Sequence, residues 1–181
     1  MKEEEFALID RIVGGESNLY SYFVTKYNKE IFQLAFQLTK DRELAEDLTQ
    51  DVFVKGFLKL NSFQQKSQFS TWLYRIGYNL IINELRKKKL FFSSFDDISE
   101  TFDEAAEVDD FFSQKETELR YQKLDEALQT LPQDEYALIL FHYYQQKQID
   151  EIAFITAQTS ANVKVKLFRI RKKLYTIMRY E

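Results

Sequence analysis

An all-α chain, two small helical domains joined by an acidic flexible linker, is the fold class this sequence predicts, and three observations carry the prediction. The 181 residues include four Gly and one Pro, with many Leu, Ile, Phe, Lys, Glu and Gln, a composition that favours helices. Apolar residues recur at three- and four-residue spacing in most segments. Charge falls into blocks: residues 1–90 carry 14 Lys/Arg against 12 Asp/Glu, residues 91–118 one against ten, and residues 119–181 ten against seven. The net charge of −4 therefore hides two mildly basic halves around one acidic tether.

Composition also excludes several functions. There is no Cys, which removes disulfides and zinc-thiolate sites, and the single His142 removes the usual His-based metal clusters and most catalytic triads. No glycine-rich phosphate loop and no acid cluster with calcium-loop spacing is present. The expectation is a protein without catalytic residues, metal, cofactor or small-molecule substrate. The opening MKEEEFALID has no apolar signal region and no apolar run reaches membrane length, so a soluble cytoplasmic protein without direct membrane insertion is expected.

The elements follow in order. Phe6–Val13 reads as a short helix closed by Gly14-Gly15. Tyr20–Lys40 reads as one or two amphipathic helices, with Tyr22, Phe23, Tyr27, Ile31, Phe32, Leu34, Ala35 and Leu38 as core. Asp41 is a good N-cap for a helix over Arg42–Leu60 that packs through Leu44, Leu48, Val52 and Phe57. Asn61–Gln68 is polar and aperiodic, hence a loop. The next helix starts near Phe69 or Ser70, and Leu73, Ile76, Gly77 and Leu80 form its apolar stripe. From Leu90 to about Thr117 the pattern dissolves, and residues 91–117 read as a linker with an r.m.s. span of about 30 Å. Phe95, Phe102, Phe111 and Phe112 are the residues by which it could dock on a partner surface. The third segment, 118–181, has a helix near Glu118–Gln129 and another from Pro132 to about Tyr144. A short helix over Ile149–Ile155, a turn at Thr156–Gln158 and a helix from Ser160 to about Met178 capped by Thr159 then make a helix-turn-helix.

Three surface stripes carry chemistry. In FSTWLYRIGYNLIINELRKKK, stepping 100° per residue puts Asn79, Asn83 and Arg86 within about 40° of Trp72. An aromatic face stacks on an unpaired base, amides reach base edges, and cations hold phosphates. The bland alternative is a core tryptophan followed by lysines that complement the helix dipole. In the last helix Val163, Leu167, Ile170 and Leu174 share the buried side. The opposite side carries Val165, Phe168, Arg169 and Lys172, flanked by Lys164, Lys166, Arg171 and Lys173. Such a face suits phosphates and thymine methyls, against a bland reading as a solvated helix. In the helix after Asp41, Asp47, Gln50, Asp51 and Val54 lie on one face, which either faces water or receives a basic helix.

The ordered set DLTQDVF, TWLYRI, EIA and VKVKLFRIRKKL, over nearly the whole chain, resembles the bacterial RNA polymerase sigma factors of the extracytoplasmic-function class. The resemblance implies domain two over 1–90 and domain four over 118–181. It implies that Asp47, Gln50, Asp51, Phe53 and Val54 meet the polymerase clamp. Asn61, Phe63, Phe69, Trp72, Asn79, Asn83, Arg86 and Lys87 would border the opened downstream element, with a flipped base held by the loop from Asn61 to Phe69. Thr159, Asn162, Lys164, Val165, Lys166, Phe168, Arg169 and Arg171 would address the upstream element. Implied partners are core RNA polymerase, promoter DNA and an anti-sigma protein; the acidic linker would lie in basic channels of the polymerase, against a bland reading as a solubilising linker. Two departures stand out. Thr156-Ala157-Gln158 occupies a turn where the family usually has a central glycine, so an altered turn is expected. Gln64-Gln65 replaces a loop pattern that more often carries Arg and Gly.

Two other classes compete. A stand-alone helix-turn-helix regulator would bind duplex DNA as a dimer and leave the Trp72 stripe and the Asp47–Val54 patch without purpose. A helical adaptor would need neither basic face.

Overall fold

The computed structural model describes residues 2–92 and 118–180, and all regular structure among them is helical. The helices are α1 (Lys2–Val13), α2 (Ser21–Thr39), α3 (Arg42–Leu58), α4 (Phe69–Phe92), α5 (Glu118–Gln129), α6 (Gln133–Ile139), α7 (Ile149–Thr156) and α8 (Ser160–Tyr180). Two compact units result, one centred on α1–α4 together with Ala153–Gln158 and the other on α5, α6 and α8. The acidic stretch expected to be a linker, with Phe95, Phe102, Phe111 and Phe112, lies at 93–117, outside the described residues.

In the first unit α2 and α3 pair through Phe23, Ile31, Leu34, Ala35 and Leu38 on one side and Ala45, Leu48 and Val52 on the other, all buried. The α2–α3 corner is tight because Lys40 takes a left-handed φ of 54 and Asp41 caps α3, accepting from the Leu44 N–H at 3.1 Å. Tyr22 and Phe57, expected in the core, are exposed instead: each sits one residue off the buried stripe. Phe57 still meets Tyr20 edge-on, with centroids 5.1 Å apart.

Helix α4 lies close on this pair because two glycines admit it. A Cβ on Gly56 would stand 2.7 Å from the Tyr20 hydroxyl and 3.1 Å from Leu73, and one on Gly77 would stand 3.5 Å from Val52. The buried side of α4 is Leu73, Tyr74, Gly77, Tyr78 and Ile81. Ile76 and Leu80, expected there, are half-buried because they line an open groove beside α3.

In the second unit the expected stripe of α8, Val163, Leu167, Ile170 and Leu174, is buried against α5 and α6. Pro132 is the N-cap of α6, whose end widens into a π turn over Leu140–Tyr144 that buries both Leu140 and Phe141. Thr159 caps α8 through the Asn162 N–H at 3.2 Å. The turn before it keeps a left-handed residue: Ala157 has φ 55, so the expectation of altered turn geometry is not met. The Gln158 N–H bonds the Ala153 carbonyl at 2.9 Å and closes the turn despite the Cβ.

Candidate nucleic-acid interface

The α4 stripe forms one wall of a groove of about 360 Å³. Trp72, Ile76, Asn79, Leu80 and Asn83 line it from α4, and Lys55, Lys59 and Ser62 face them from the end of α3 and the turn after it. Arg75 completes the lining. An aromatic face, two exposed amides and three cations therefore line one groove, a composition suited to an unpaired strand. Arg86 and Lys87 continue beyond it on exposed positions, Lys87 paired with Glu84 at 3.2 Å.

Two of the expected strand contacts are core residues. Phe69 is fully buried against Phe23, with centroids 4.2 Å apart, and Phe63 is buried between Phe6, Phe69 and Trp72. Both rings contact Trp72, which lines the groove. Asn61 is exposed beside them.

On α3, Asp47, Gln50, Asp51 and Val54 are exposed together. Phe53 is buried, because it lies on the core side with Thr49 and Gly56, and its carbonyl accepts from the Tyr20 hydroxyl at 3.0 Å. Leu58, which helical phase places on the same stripe as Val54, is 73% exposed. It extends the acidic patch with an apolar end.

On α8, Thr159, Asn162, Lys164, Val165, Phe168 and Arg169 are exposed on the outward arc. Lys166 is half-buried and reaches Asp134 of α6 at 4.0 Å. Arg171 stands about 160° around the helix from Arg169. It is half-buried in a cleft with Leu124, Leu128, Ile139 and Leu174. Of the residues expected at the upstream element, Lys166 and Arg171 are therefore only half-exposed.

The pattern of two regions is matched by known families. Sigma-70 region 2 matches residues 23–91, and Sigma-70, region 4 matches residues 121–174. RNA polymerase sigma factor YlaC of Bacillus subtilis is 30% identical over 156 residues, 82% of this chain and 86% of that protein. The chain belongs to the RNA polymerase sigma factors of the extracytoplasmic-function class. Sigma factors of this kind bind core RNA polymerase and direct it to specific promoters.

Other relatives agree. ECF RNA polymerase sigma factor SigW of Bacillus subtilis is 36% identical over 81 residues, 45% of this chain and 43% of that protein. RNA polymerase sigma-H factor of Pseudomonas aeruginosa is 25% identical over 96% of this chain and 93% of its own length. Among solved structures, CnrH in complex with the cytosolic domain of CnrY superimposes with a TM-score of 0.67 at 19% identity, covering 97% of each chain. RpoE in complex with the anti-sigma factor NepR, from Bartonella quintana, does so with 0.62 at 21% identity over 90% of this chain and 98% of that one. These likenesses establish the fold. No helix among the described residues is long and apolar enough to cross a membrane.

Sequence reasoning missed Lys55, Lys59, Arg75 and Leu58 in this sigma factor. Leu58 was legible from phase, four residues after Val54. Arg75 was legible too, since it lies about 60° around α4 from Trp72, whereas Lys55 and Lys59 join the groove only because α3 and α4 converge in three dimensions.

Proposed function

We propose a division of labour for this sigma factor over its surfaces. The outward stripe of α3, Asp47, Gln50, Asp51, Val54 and Leu58, docks on the clamp of core polymerase. The α3–α4 groove holds the non-template strand of the opened downstream element, with Trp72 stacking on a base, Asn79 and Asn83 at base edges, and Lys55, Lys59 and Arg75 on phosphates. Loop 61–68 takes a flipped base. Thr159, Asn162, Lys164, Val165, Phe168 and Arg169 of α8 read the upstream element in the major groove.

The observation that carries the proposal is the groove, where aromatic, amide and cationic side chains meet on a single channel. A stand-alone duplex-binding regulator has no use for such a channel. Magnitudes then assign the protein its partner. Opening on the order of ten stacked steps costs more than about ten kcal/mol at roughly 1.4 kcal/mol each. Bases stacked on aromatics return about 1–3 kcal/mol apiece. The free chain therefore cannot open a promoter, and the polymerase supplies the remainder. It acts in the cytoplasm, where polymerase and promoters are.

Solved neighbours of this fold were captured with an anti-sigma partner or a cytosolic domain bound, which supports an anti-sigma protein as the regulator here. The experiment is co-elution with bacterial core polymerase on a sizing column. Wild type should bind stoichiometrically and Asp47→Ala/Asp51→Ala weakly. Failure to bind core, with tight duplex binding by the free chain, would overturn the proposal.

A further inference from the structure

Region 2 begins its match at residue 23, yet α1, before it, touches the loop ahead of α4 at two points. The Gln65 side-chain amide donates to the Asp10 carboxylate at 2.8 Å, fifty-five residues away in sequence. Phe6 meets Phe63 edge-on, with ring centroids 5.9 Å apart. Helix α1 is itself anchored: buried Glu5 accepts from the Tyr27 hydroxyl and from the Lys26 ammonium, each at 2.6 Å. Those bonds draw the Lys26 pKa upward, and burial followed by the bond to Glu5 raises that of Tyr27.

Gln65 is the strained residue of this loop. Its φ of 55 is left-handed, a conformation that a residue with a side chain holds only when its surroundings impose it. The Asp10 carboxylate holds the Gln65 side chain in that conformation through the 2.8 Å bond, and the Phe6–Phe63 contact passes directly to Trp72, which Phe63 meets at 5.1 Å. Both links run from α1 to the loop and neither leaves the first unit.

We infer that α1 is a positioning element for loop 61–68, in which Asp10 holds Gln65 in its left-handed conformation and Phe6 braces Phe63, so that α1 sets the base preference of the loop. The inference rests on the reading that this loop captures a base. Asp10 touches no nucleic acid in it and acts through Gln65.

The test uses full-length chain reconstituted with core polymerase on promoters in which each base of the downstream element is varied in turn. The readout is the ratio of initiation from the best to the worst base, measured beside core affinity and thermal melting. Asp10→Ala should lower that ratio about threefold, as expected for one exposed bond to a charged group, with melting and core affinity unchanged. Gln65→Gly adopts the same φ without a hold, so adding Asp10→Ala to it should change nothing further. An Asp10→Ala profile that superimposes on wild type, or effects of the two substitutions that multiply, would overturn the inference. Gln64→Ala/Lys66→Ala separates the two readings. If it alters the profile while Asp10→Ala does not, only the role of α1 falls; if neither alters it, the base-capturing loop falls as well.

Discussion

Phe63 and Trp72 meet with ring centroids 5.1 Å apart at an angle of 44°, which stacks the loop before α4 onto the first turn of that helix. The groove wall and the loop are therefore one unit. Removing the indole should both loosen the loop and delete a stacking surface. Trp72→Ala should weaken holoenzyme binding to a single-stranded non-template oligonucleotide by about 1–3 kcal/mol. Trp72→Phe should recover most of it, and titration with the fluorescent oligonucleotide measures both.

Gly56 lies where α3 meets α4, and a Cβ there has no room: the Tyr20 hydroxyl would be 2.7 Å away. That hydroxyl is also the donor to the Phe53 carbonyl, so moving it breaks a buried bond. Gly56→Ala should cost roughly 1–3 kcal/mol in a denaturant titration. Gly77→Ala, with Val52 at an ordinary 3.5 Å, should cost less.

The left-handed Ala157 is a local strain that the helix-turn-helix carries without a glycine. Ala157→Gly should stabilise the protein by about 0.5–1 kcal/mol, the steric relief outweighing the added chain freedom. A denaturant midpoint that falls instead would show that the Ala157 methyl packs usefully.

Asp41 gives a pH signature. Its carboxylate is held below the usual range first by the Leu44 N–H and then by Lys88, whose ammonium stands 3.5 Å away. A depressed folded value means stability that is present above the unfolded carboxylate pKa and lost as pH falls through the folded one. Asp41→Asn keeps an acceptor for the cap but does not titrate. The stability difference between wild type and Asp41→Asn should thus shrink as pH drops through the acid range, and a constant difference would contradict this.

Much of this was legible in the sequence where a single helix decides the outcome. Phase alone placed Val163, Leu167, Ile170 and Leu174 inside and Val165 and Phe168 outside, and the Asp41 and Thr159 caps were readable from residue type. The errors arose where neighbouring elements decide. Phe53, Phe63 and Phe69 lie in matching motifs, but they are core residues, beside Tyr20, Phe6 and Phe23 respectively. Arg171 looked like one more outward cation until α5 and α6 closed a cleft over it. Lys55 and Lys59 line the candidate groove only through the approach of α3 to α4 beside Gly56 and Gly77, while Arg75 was readable from helical phase.

The most direct test of the groove is promoter opening, read as reactivity of unpaired thymines in promoter DNA. Core polymerase alone should leave the duplex closed, and core with the wild-type chain should open it. Asn79→Ala/Asn83→Ala changes two exposed side chains, so the variant should bind core as tightly as wild type yet open the promoter at least about tenfold less, in line with lost base-edge contacts. Opening equal to wild type by that variant would contradict the account of the groove.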